Sequence, residues 1–206
     1  MTVELPRVAI AIGDPAGIGP EIALKAALDP AVRRIARPVL VGDRRAIDAH
    51  AQACGLAPTL DCFADLAAVR WRADAVALVT LEHFNAEAFE IAHHKAANGH
   101  AACDAARTAI EGAIAGQVDA VVAAPQTERS IKLAGIDFDG YPSFVARCTG
   151  TPVEQASLMI CFEHAGAEMR IAHVTLQTSL RHAIDLITID HVERVVQAVD
   201  TTLKKI

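Results

Sequence analysis

Three glycines and the carboxylate of Asp14 lie close together in the segment GDPAGIGPE, residues 13–21, between an apolar run and a helical pattern. A glycine loop between a strand and a helix lets backbone N–H groups approach an anion, and the helix dipole adds attraction. Gly13, Gly17 and Gly19 would then line a ligand cleft, and Asp14 would lie where open α/β sheets bind substrates. The same glycines also suit a tight turn with close strand–helix packing. Their spacing matches neither the dinucleotide nor the mononucleotide phosphate loop, so both interpretations stay open.

The nine histidines and five cysteines form no metal-binding or nucleophile motif. His93 and His94 are adjacent and would point apart on a helix, which makes joint ligation of one ion unfavourable. There is no CxxC pair, which is typical of a protein from a reducing compartment. Each cysteine is predicted to be a small buried core residue. The five are Cys54, Cys62, Cys103, Cys148 and Cys161.

Composition narrows the class of protein. The chain has 206 residues, 52% of them hydrophobic, and a formal net charge of −6. This is enough apolar content for one large domain or one and a half ordinary ones. The negative charge without a basic run argues against nucleic acid or an anionic membrane as the partner. We find no signal-peptide pattern and no apolar stretch of membrane-spanning length, so a cytoplasmic location is predicted.

The elements around the glycine loop follow from local patterns. Val8–Ile12 is a short β-branched and alanine-rich run, which predicts a buried strand. Pro20 suits the first helical turn and Glu21 complements the positive end of its dipole, so a helix is predicted to start near Pro20. Strand-like and helix-like segments then alternate to residue 123, which indicates a three-layer α/β/α fold with a largely parallel sheet. The predicted segments are strands at 38–43, 76–81 and 118–123, and helices at 44–54 and ending at Gly116.

The pattern changes after about residue 127. Two apolar runs, 157–162 and 170–176, are separated by a short polar segment, which predicts an antiparallel hairpin. The chain ends in a helical stripe of apolar residues that follows Thr188, a candidate N-cap. We therefore predict a first α/β domain at 1–126 and a second, partly antiparallel subdomain at 127–206.

Several motifs resemble those of one enzyme family. They are GDPAGIGPEI at 13–22, NGH at 98–100, AAP at 123–125, AGIDFDG at 134–140 and RIAHVTLQTSLRHAIDLIT at 170–188. They resemble the 4-hydroxythreonine-4-phosphate dehydrogenases of pyridoxal phosphate biosynthesis, which are related to isocitrate and isopropylmalate dehydrogenases. The resemblance implies a homodimeric, NAD-dependent enzyme that oxidises a phosphorylated hydroxy-acid, such as 4-phosphohydroxy-threonine or a phosphothreonate, and releases carbon dioxide. A divalent metal, zinc or magnesium, would polarise the alcohol oxygen.

The family's functional positions carry different side chains in this sequence. Tyr141 and Pro142 follow Gly140 where the family has a His-Thr pair that reaches the substrate. Gln177 stands where a family histidine ligates the metal, and an amide oxygen is a weaker zinc ligand than imidazole. Thr127 and Glu128 replace a histidine and a lysine.

Family members are longer than this chain, and their additional part carries further metal histidines, phosphate-binding basic residues and most of the nucleotide pocket. Two hypotheses follow. The chain is part of a divergent dehydrogenase, or it is a truncated, non-catalytic remnant or binding module with the same fold. A phosphate-transfer enzyme is disfavoured because the phosphate-loop sequence is absent. By itself, the 206-residue chain is expected not to oxidise such a substrate at a rate typical of the family.

Overall fold

The computed structural model describes residues 4–84 and 89–205. The chain divides into two compact units, Met1–Asp137 and Phe138–Ile206. This division falls later in the chain than the boundary predicted from the sequence, between residues 126 and 127. The reason is that the helix after residue 127 packs on the long helix of the first unit. Residues 1–3 and 206, which belong to the two predicted domains, lie outside the described residues.

The first unit is built on a parallel five-stranded sheet. Its strands, in chain order, are β1 (Arg7–Ala11), β2 (Arg37–Gly42), β3 (Leu60–Phe63), β4 (Val76–Thr80) and β5 (Ala120–Ala123). They lie in the order β3-β4-β2-β1-β5, and every neighbouring pair is parallel. Its helices are α1 (Gly19–Leu28), α2 (Pro30–Ile35), α3 (Arg44–Ala53), α4 (Ala96–Ile114) and α5 (Glu128–Leu133). Four of the strands agree with the sequence prediction, and β3 was not predicted.

Helices cover both faces of this sheet. Successive strand residues point to opposite faces. On one face Ile10, Leu40 and Leu78 pack with Leu24 of α1 and Ile47 of α3 in a single buried cluster. The alternate strand residues are also buried, and α4 contacts β1, β2 and β5. The predicted three-layer α/β/α architecture is therefore confirmed.

Small side chains allow α4 to lie close to the sheet. Half of its ten buried residues are alanines, and Cys103 and two glycines, Gly99 and Gly112, are also among them. A side chain at Gly99 would overlap the backbone of Ser130 in α5, so this glycine permits the close approach of the two helices. The packing brings the N-terminal half of α4 next to the segment that follows β5.

The second unit contains an antiparallel hairpin and three helices among its described residues. The elements are α6 (Tyr141–Thr149), β6 (Met159–His164), β7 (Ala167–Ala172), α7 (Leu180–Leu186) and α8 (Ile189–Leu203), with a 3-10 turn at Val153–Gln155. The predicted hairpin is confirmed by the antiparallel pairing of β6 and β7. Its two-residue turn, Ala165–Gly166, has positive φ at both positions, as a type I′ turn requires.

Side-chain caps start the last two helices. The Oγ1 of Thr188 accepts a hydrogen bond from the backbone N–H of His191, which confirms the predicted cap of α8. Ser179 caps α7 in the same way. On α8, Val195 is buried whereas Val192 and Val196 are exposed. Across residues 4–84 and 89–205, none of the helices combines the length and apolar character needed to cross a bilayer.

Candidate functional site

The glycine loop lies at a topological switch point of the sheet. From β1 the chain continues to β2 on one side, and it later returns to β5 on the other side. In open α/β sheets, ligands bind outside the carboxyl ends of the strands at such a point. Two segments meet there: residues 12–18 after β1 and residues 124–127 after β5. The backbone N–H of Asp14 donates to the carbonyl of Pro125 at 3.0 Å.

Gly13 and Gly19 are required by close backbone contacts. Gly13 has a φ of +73°, and a side chain there would overlap the carbonyl groups of Ala124 and Pro125. A side chain at Gly19 would overlap the carbonyl oxygen of Ile12. A Cβ at Gly17 would lie 3.4 Å from the carbonyl oxygen of Asp14, an ordinary contact distance. Two of the three glycines therefore have a packing reason, while Gly17 and the exposed Ile18 form the solvent-facing part of the loop.

The carboxylate of Asp14 points into the protein and holds the loop together. Asp14 is only 2% exposed. One of its oxygens accepts from the backbone N–H of Ala16 at 2.8 Å, and the other accepts from the hydroxyl of Ser130 at 2.9 Å. The side chain thus links the loop after β1 to α5. Its assignment to substrate binding stays a prediction, and the contacts that it makes are structural ones.

Two further side chains support the loop. The ring of His50, buried in α3, lies 2.9 Å through Nε2 from the carbonyl oxygen of Pro15. Gln126, which follows β5, donates from Nε2 to the carbonyl of Ala102 at 3.4 Å, while its Oε1 is buried without a partner. A buried amide oxygen without a donor is costly. It marks the segment after β5 as a place where an additional hydrogen-bond donor would be favourable.

A second carboxylate, Asp43, organises the neighbouring strand ends and was not singled out from the sequence. Its Oδ1 accepts from the backbone N–H of Arg45 at the start of α3. Its Oδ2 accepts from the backbone N–H groups of His83 and Phe84, after β4. The sequence does contain a signal for Asp43. A Gly-Asp pair stands at the end of β2, Gly42–Asp43, just as the pair Gly13–Asp14 stands after β1. Both carboxylates tie one strand-end loop to another segment.

Beside Asp43, the carboxyl ends of β2, β3 and β4 border an open cavity of about 690 Å³. Arg44, Cys62 and Glu82 are among the side chains that line it. Nearby, Nε2 of His83 lies 3.3 Å from the carboxylate of Asp104 on α4. This imidazole–carboxylate pair joins the loop after β4 to the helix that covers the sheet.

The prediction that all five cysteines are buried was wrong. Cys103 is fully buried in α4, whereas Cys62 and Cys161 are exposed, and the remaining two are partly exposed. Cys62 lies on an edge strand and Cys161 lies on the hairpin, where alternate side chains face solvent. The Sγ of Cys62 is 3.4 Å from Nη1 of Arg44.

In the second unit, Tyr141 and Gln177 belong to segments that contact each other. Gly140 precedes Tyr141 and has a φ of +112°. A Cβ at Gly140 would lie 2.7 Å from Oε1 of Gln177, so the amide rests against the start of α6. Gln177 has a φ of +38°, an uncommon value for a residue with a side chain. Such strain requires support from the surrounding structure.

Tyr141 and Pro142 line a cavity of about 360 Å³ on α6. Its other lining residues are aliphatic, Ser or Thr, and none of the described ones is basic. The Oγ of Ser157, in the same lining, is buried without a hydrogen-bond partner. This cavity is therefore suited to an uncharged or apolar group with one acceptor, rather than to a phosphate.

The start of α6 is held by an ion pair. Nη2 of Arg147 donates to Oδ1 of Asp139 at 2.8 Å. Burial opposes the ionisation of Asp139, but hydrogen bonds from Arg147, from its own backbone and from Ser143 together keep its pKa below the ordinary value. Asp139 thus stays ionised at neutral pH and anchors the segment that leads to Tyr141.

The described residues do not form a metal site by themselves. Nowhere in residues 4–84 and 89–205 do three or more His, Cys, Asp or Glu side chains come together as metal ligands would. Gln177 offers one amide oxygen, and its contact with Gly140 already uses the space around that oxygen. A divalent metal needs several ligands in defined geometry.

The family of the chain is established by sequence comparison. The family described as "Pyridoxal phosphate biosynthetic protein PdxA" matches residues 34–206. The chain belongs to the PdxA family. This confirms the resemblance to the 4-hydroxythreonine-4-phosphate dehydrogenases.

Individual PdxA-type relatives are named as dehydrogenases of different substrates. A "1,2-dihydroxy-3,5-cyclohexadiene-1,4-dicarboxylate dehydrogenase" from Comamonas sp is 37% identical over 198 residues, which cover 96% of this chain and 57% of that protein. A crystal structure of a terephthalate 1,2-cis-dihydrodiol dehydrogenase from Burkholderia xenovorans LB400 is 36% identical, with a TM-score of 0.65 over 98% of this chain and 58% of that one. The crystal structure of a 4-hydroxythreonine-4-phosphate dehydrogenase from Burkholderia phymatum is 25% identical in sequence. Its TM-score is 0.83, and the match covers 98% of this chain and 59% of that one.

The chain thus spans a little under three fifths of each of these three proteins. The fold of the described residues is that of PdxA dehydrogenases, and the family is one of oxidoreductases.

Proposed function

We propose that this chain belongs to a nicotinamide-dependent dehydrogenase that oxidises a secondary alcohol in a small carboxylated ring compound. Support comes from family membership and from relatives that are named dehydrogenases. The observation that carries the substrate class is the cavity beside Tyr141 and Pro142, which has no basic side chain among its described lining residues.

The reaction has a simple balance of atoms and electrons. A bound nicotinamide would supply a hydride acceptor: the alcohol carbon would lose its hydrogen as hydride to it, the hydroxyl proton would be released, and the alcohol would become a ketone. Where a carboxylate is β to the new ketone, its loss as carbon dioxide follows. A cyclohexadiene that carries hydroxyls at carbons 1 and 2 and a carboxylate at carbon 1 meets this condition, because oxidation at carbon 2 gives a β-keto acid.

The lining of this cavity favours the face of an apolar ring over a phosphate group. A phosphate monoester carries close to two negative charges at neutral pH and is recognised by charged or multiple donors. Tyr141 and Pro142 offer one phenol and one apolar ring, and Ser157 offers one unpaired hydroxyl. These groups suit the hydrocarbon face of the cyclic diol, whose two carboxylates, like a phosphate, need charged or multiple donors from other parts of the protein.

A second candidate is the oxidation of a phosphorylated hydroxy-acid such as 4-phosphohydroxy-threonine. It is favoured by the TM-score of 0.83 with the Burkholderia phymatum enzyme, which exceeds the 0.65 of the dihydrodiol dehydrogenase. Both substrates have a secondary alcohol β to a carboxylate, so both give a β-keto acid. The chemistry is shared, and only the recognition groups differ.

The test is a spectrophotometric assay of NADH formation with the two substrate classes, each with and without added Zn²⁺ or Mg²⁺. We expect turnover of the cyclic diol dicarboxylate by the full-length natural protein and little turnover of 4-phosphohydroxy-threonine. Turnover of the phosphate ester alone would favour the second candidate. Turnover of neither, by a folded protein that also fails to bind NAD⁺ in calorimetry, would support a non-catalytic binding module.

A paired variant tests the role of the α6 start. The double variant Tyr141→His, Pro142→Thr carries the side chains that are usual in the family. It should raise the ratio of kcat/KM for the phosphate ester to kcat/KM for the diol. The matched control is Val153→Thr, an exposed position outside the cavity lining. An unchanged ratio in the double variant would remove the cavity argument. We also propose that the full-length protein is a homodimer, which light scattering after size-exclusion chromatography measures directly.

A further inference from the structure

A second cavity, of about 450 Å³, lies at the amino end of the parallel sheet in the first unit. Arg7 and Arg37, which begin the paired strands β1 and β2, are part of its lining. The glycine loop follows the opposite, carboxyl end of β1, so this cavity is separate from the site described above. Its size is within the usual range for small-molecule sites.

The cavity has an apolar floor and a basic wall. Val39, Leu66 and Val118 are all at most 5% exposed and form part of the floor. Arg7, Arg37 and Arg70 supply three guanidinium groups. This concentration of positive charge is local, since the protein as a whole has a net charge of −6.

The arginines are not fully neutralised. Arg7 pairs with Asp119, and Arg37 pairs with Glu4 at 2.6 Å. Within the part of the chain that the structure describes, Arg70 donates from Nη1 alone, to the carbonyl oxygens of the three preceding residues. Among the described residues no carboxylate pairs with Arg70, so one positive charge and part of a guanidinium fork are left for a ligand.

Two buried donors beside the cavity also lack an acceptor. They are Nε1 of Trp71 and Nε of Arg37, on side chains that both line the cavity. The guanidinium of Arg37 lies over the Trp71 ring, 5.7 Å from its centre, so the two side chains pack against each other. A buried N–H without an acceptor is unfavourable, and an oxyanion would supply acceptors to both.

Helix capping explains only part of this cluster. Nη2 of Arg7 donates to the carbonyl of Gly116, just after α4, where a cation complements the negative end of the helix dipole. The same argument accounts for neither the free part of the Arg70 fork nor the two donors without acceptors.

We propose that this cavity is a binding site for a small oxyanion, a carboxylate or a phosphate, with Arg70 as its principal charged contact. The guanidinium fork matches the two oxygens of such a group. The apolar floor accommodates the body of an organic anion. The site is independent of the proposed dehydrogenase activity, since it lies at the other end of the sheet.

Trp71 is the single tryptophan of the chain, so its fluorescence reports directly on this cavity. Sodium phosphate and sodium succinate are titrated separately into the purified protein at constant ionic strength, with sodium chloride as the control salt. We expect a saturable change in emission with at least one of the two anions and none with chloride. The relative responses distinguish a phosphate from a carboxylate site.

Arg70→Gln should weaken the apparent affinity about tenfold or more, because a charge-assisted contact is lost. Arg44→Gln, at the carboxyl end of the sheet, is the matched control and should leave the affinity unchanged. Circular dichroism verifies that both variants are folded. The proposal is overturned if neither anion gives a saturable response, or if both variants respond like the wild type.

Discussion

Gly17, in the loop after β1, and Gly19, the first residue of α1, are expected to respond in opposite ways to the same substitution. A Cβ at Gly19 would lie closer than 3.0 Å to the carbonyl oxygen of Ile12, 3.2 Å from its carbonyl carbon and 3.3 Å from Cβ of Ala124. The nearest neighbours of a Cβ at Gly17 would be atoms of Asp14, at 3.4 and 3.5 Å. Neither glycine has a φ in the left-handed region, so steric contact decides the outcome.

The magnitude follows from the two opposing terms. Glycine to alanine at a permitted φ stabilises a protein by about 0.4–1 kcal/mol, because the unfolded chain loses conformational freedom. Overpacking against atoms that cannot move aside costs about 1–3 kcal/mol. The two atoms nearest to a Cβ at Gly19 are backbone atoms of Ile12, directly after β1, where the N–H of Ile12 donates to Val41 of β2. Since the entropic term is common to both variants, Gly19→Ala should be less stable than Gly17→Ala by about 1–3 kcal/mol.

Urea unfolding followed by Trp71 fluorescence measures this difference, because the tryptophan and the loop are in the same compact unit. Gly17→Ala should be at least as stable as the wild type, whereas Gly19→Ala should unfold at lower urea with an unchanged m-value. Equal midpoints for the two variants would refute the packing explanation of Gly19. They would leave the ligand-cleft interpretation of that glycine as the stronger one.

Three other outcomes are expected. Ser130→Ala should cost about 1–3 kcal/mol in urea unfolding, because one oxygen of the buried Asp14 carboxylate loses its donor. Cys62 should react with a thiol reagent such as DTNB in the folded protein, and Cys103 should react only after unfolding. The stabilisation from ionised Asp139 should be complete above its unfolded-state pKa, about 3.8, and be lost as pH falls through its lower folded-state pKa. Asp139→Asn should therefore reduce stability at pH 7 and converge with the wild type in strong acid.

Each outcome has a control. Repeating Ser130→Ala in an Asp14→Asn background should cost less, and full additivity would contradict the hydrogen-bond explanation. Cys62→Ser should remove one fast-reacting thiol. An unchanged number of thiols that react rapidly with DTNB would show that this cysteine is shielded. A constant stability difference between Asp139→Asn and the wild type across the acid range would contradict the lowered pKa.

Local sequence patterns were sufficient to predict most of the helices and strands. The strand before Gly13, the helix start next to Pro20 and the Thr188 cap were all predicted from side chains within a few residues of one another, and all are confirmed. β3 was not predicted because Asp61 and Cys62 interrupt its apolar character. Its strand conformation comes from pairing with β4, which lies later in the chain.

The burial and the contacts of the candidate site residues could not be predicted from local patterns. The sequence placed Asp14 at the carboxyl end of a first strand, and that position is confirmed. Its burial depends on Ser130, which is 116 residues away, and on the segment after β5 packing across the loop. The contact of Gln177 with Gly140 likewise depends on the fold of the second unit.

The sequence by itself determined the α/β alternation, the family and the position of the glycine loop, because these depend on residue types at short, fixed spacings. Only the tertiary structure decided that Gly13 and Gly19 meet backbone atoms, that Asp14 points inward and that Arg7, Arg37 and Trp71 border one cavity. Those outcomes depend on which distant segments the parallel sheet brings side by side. Strand order is set by the packing of the whole unit, and no local pattern encodes it.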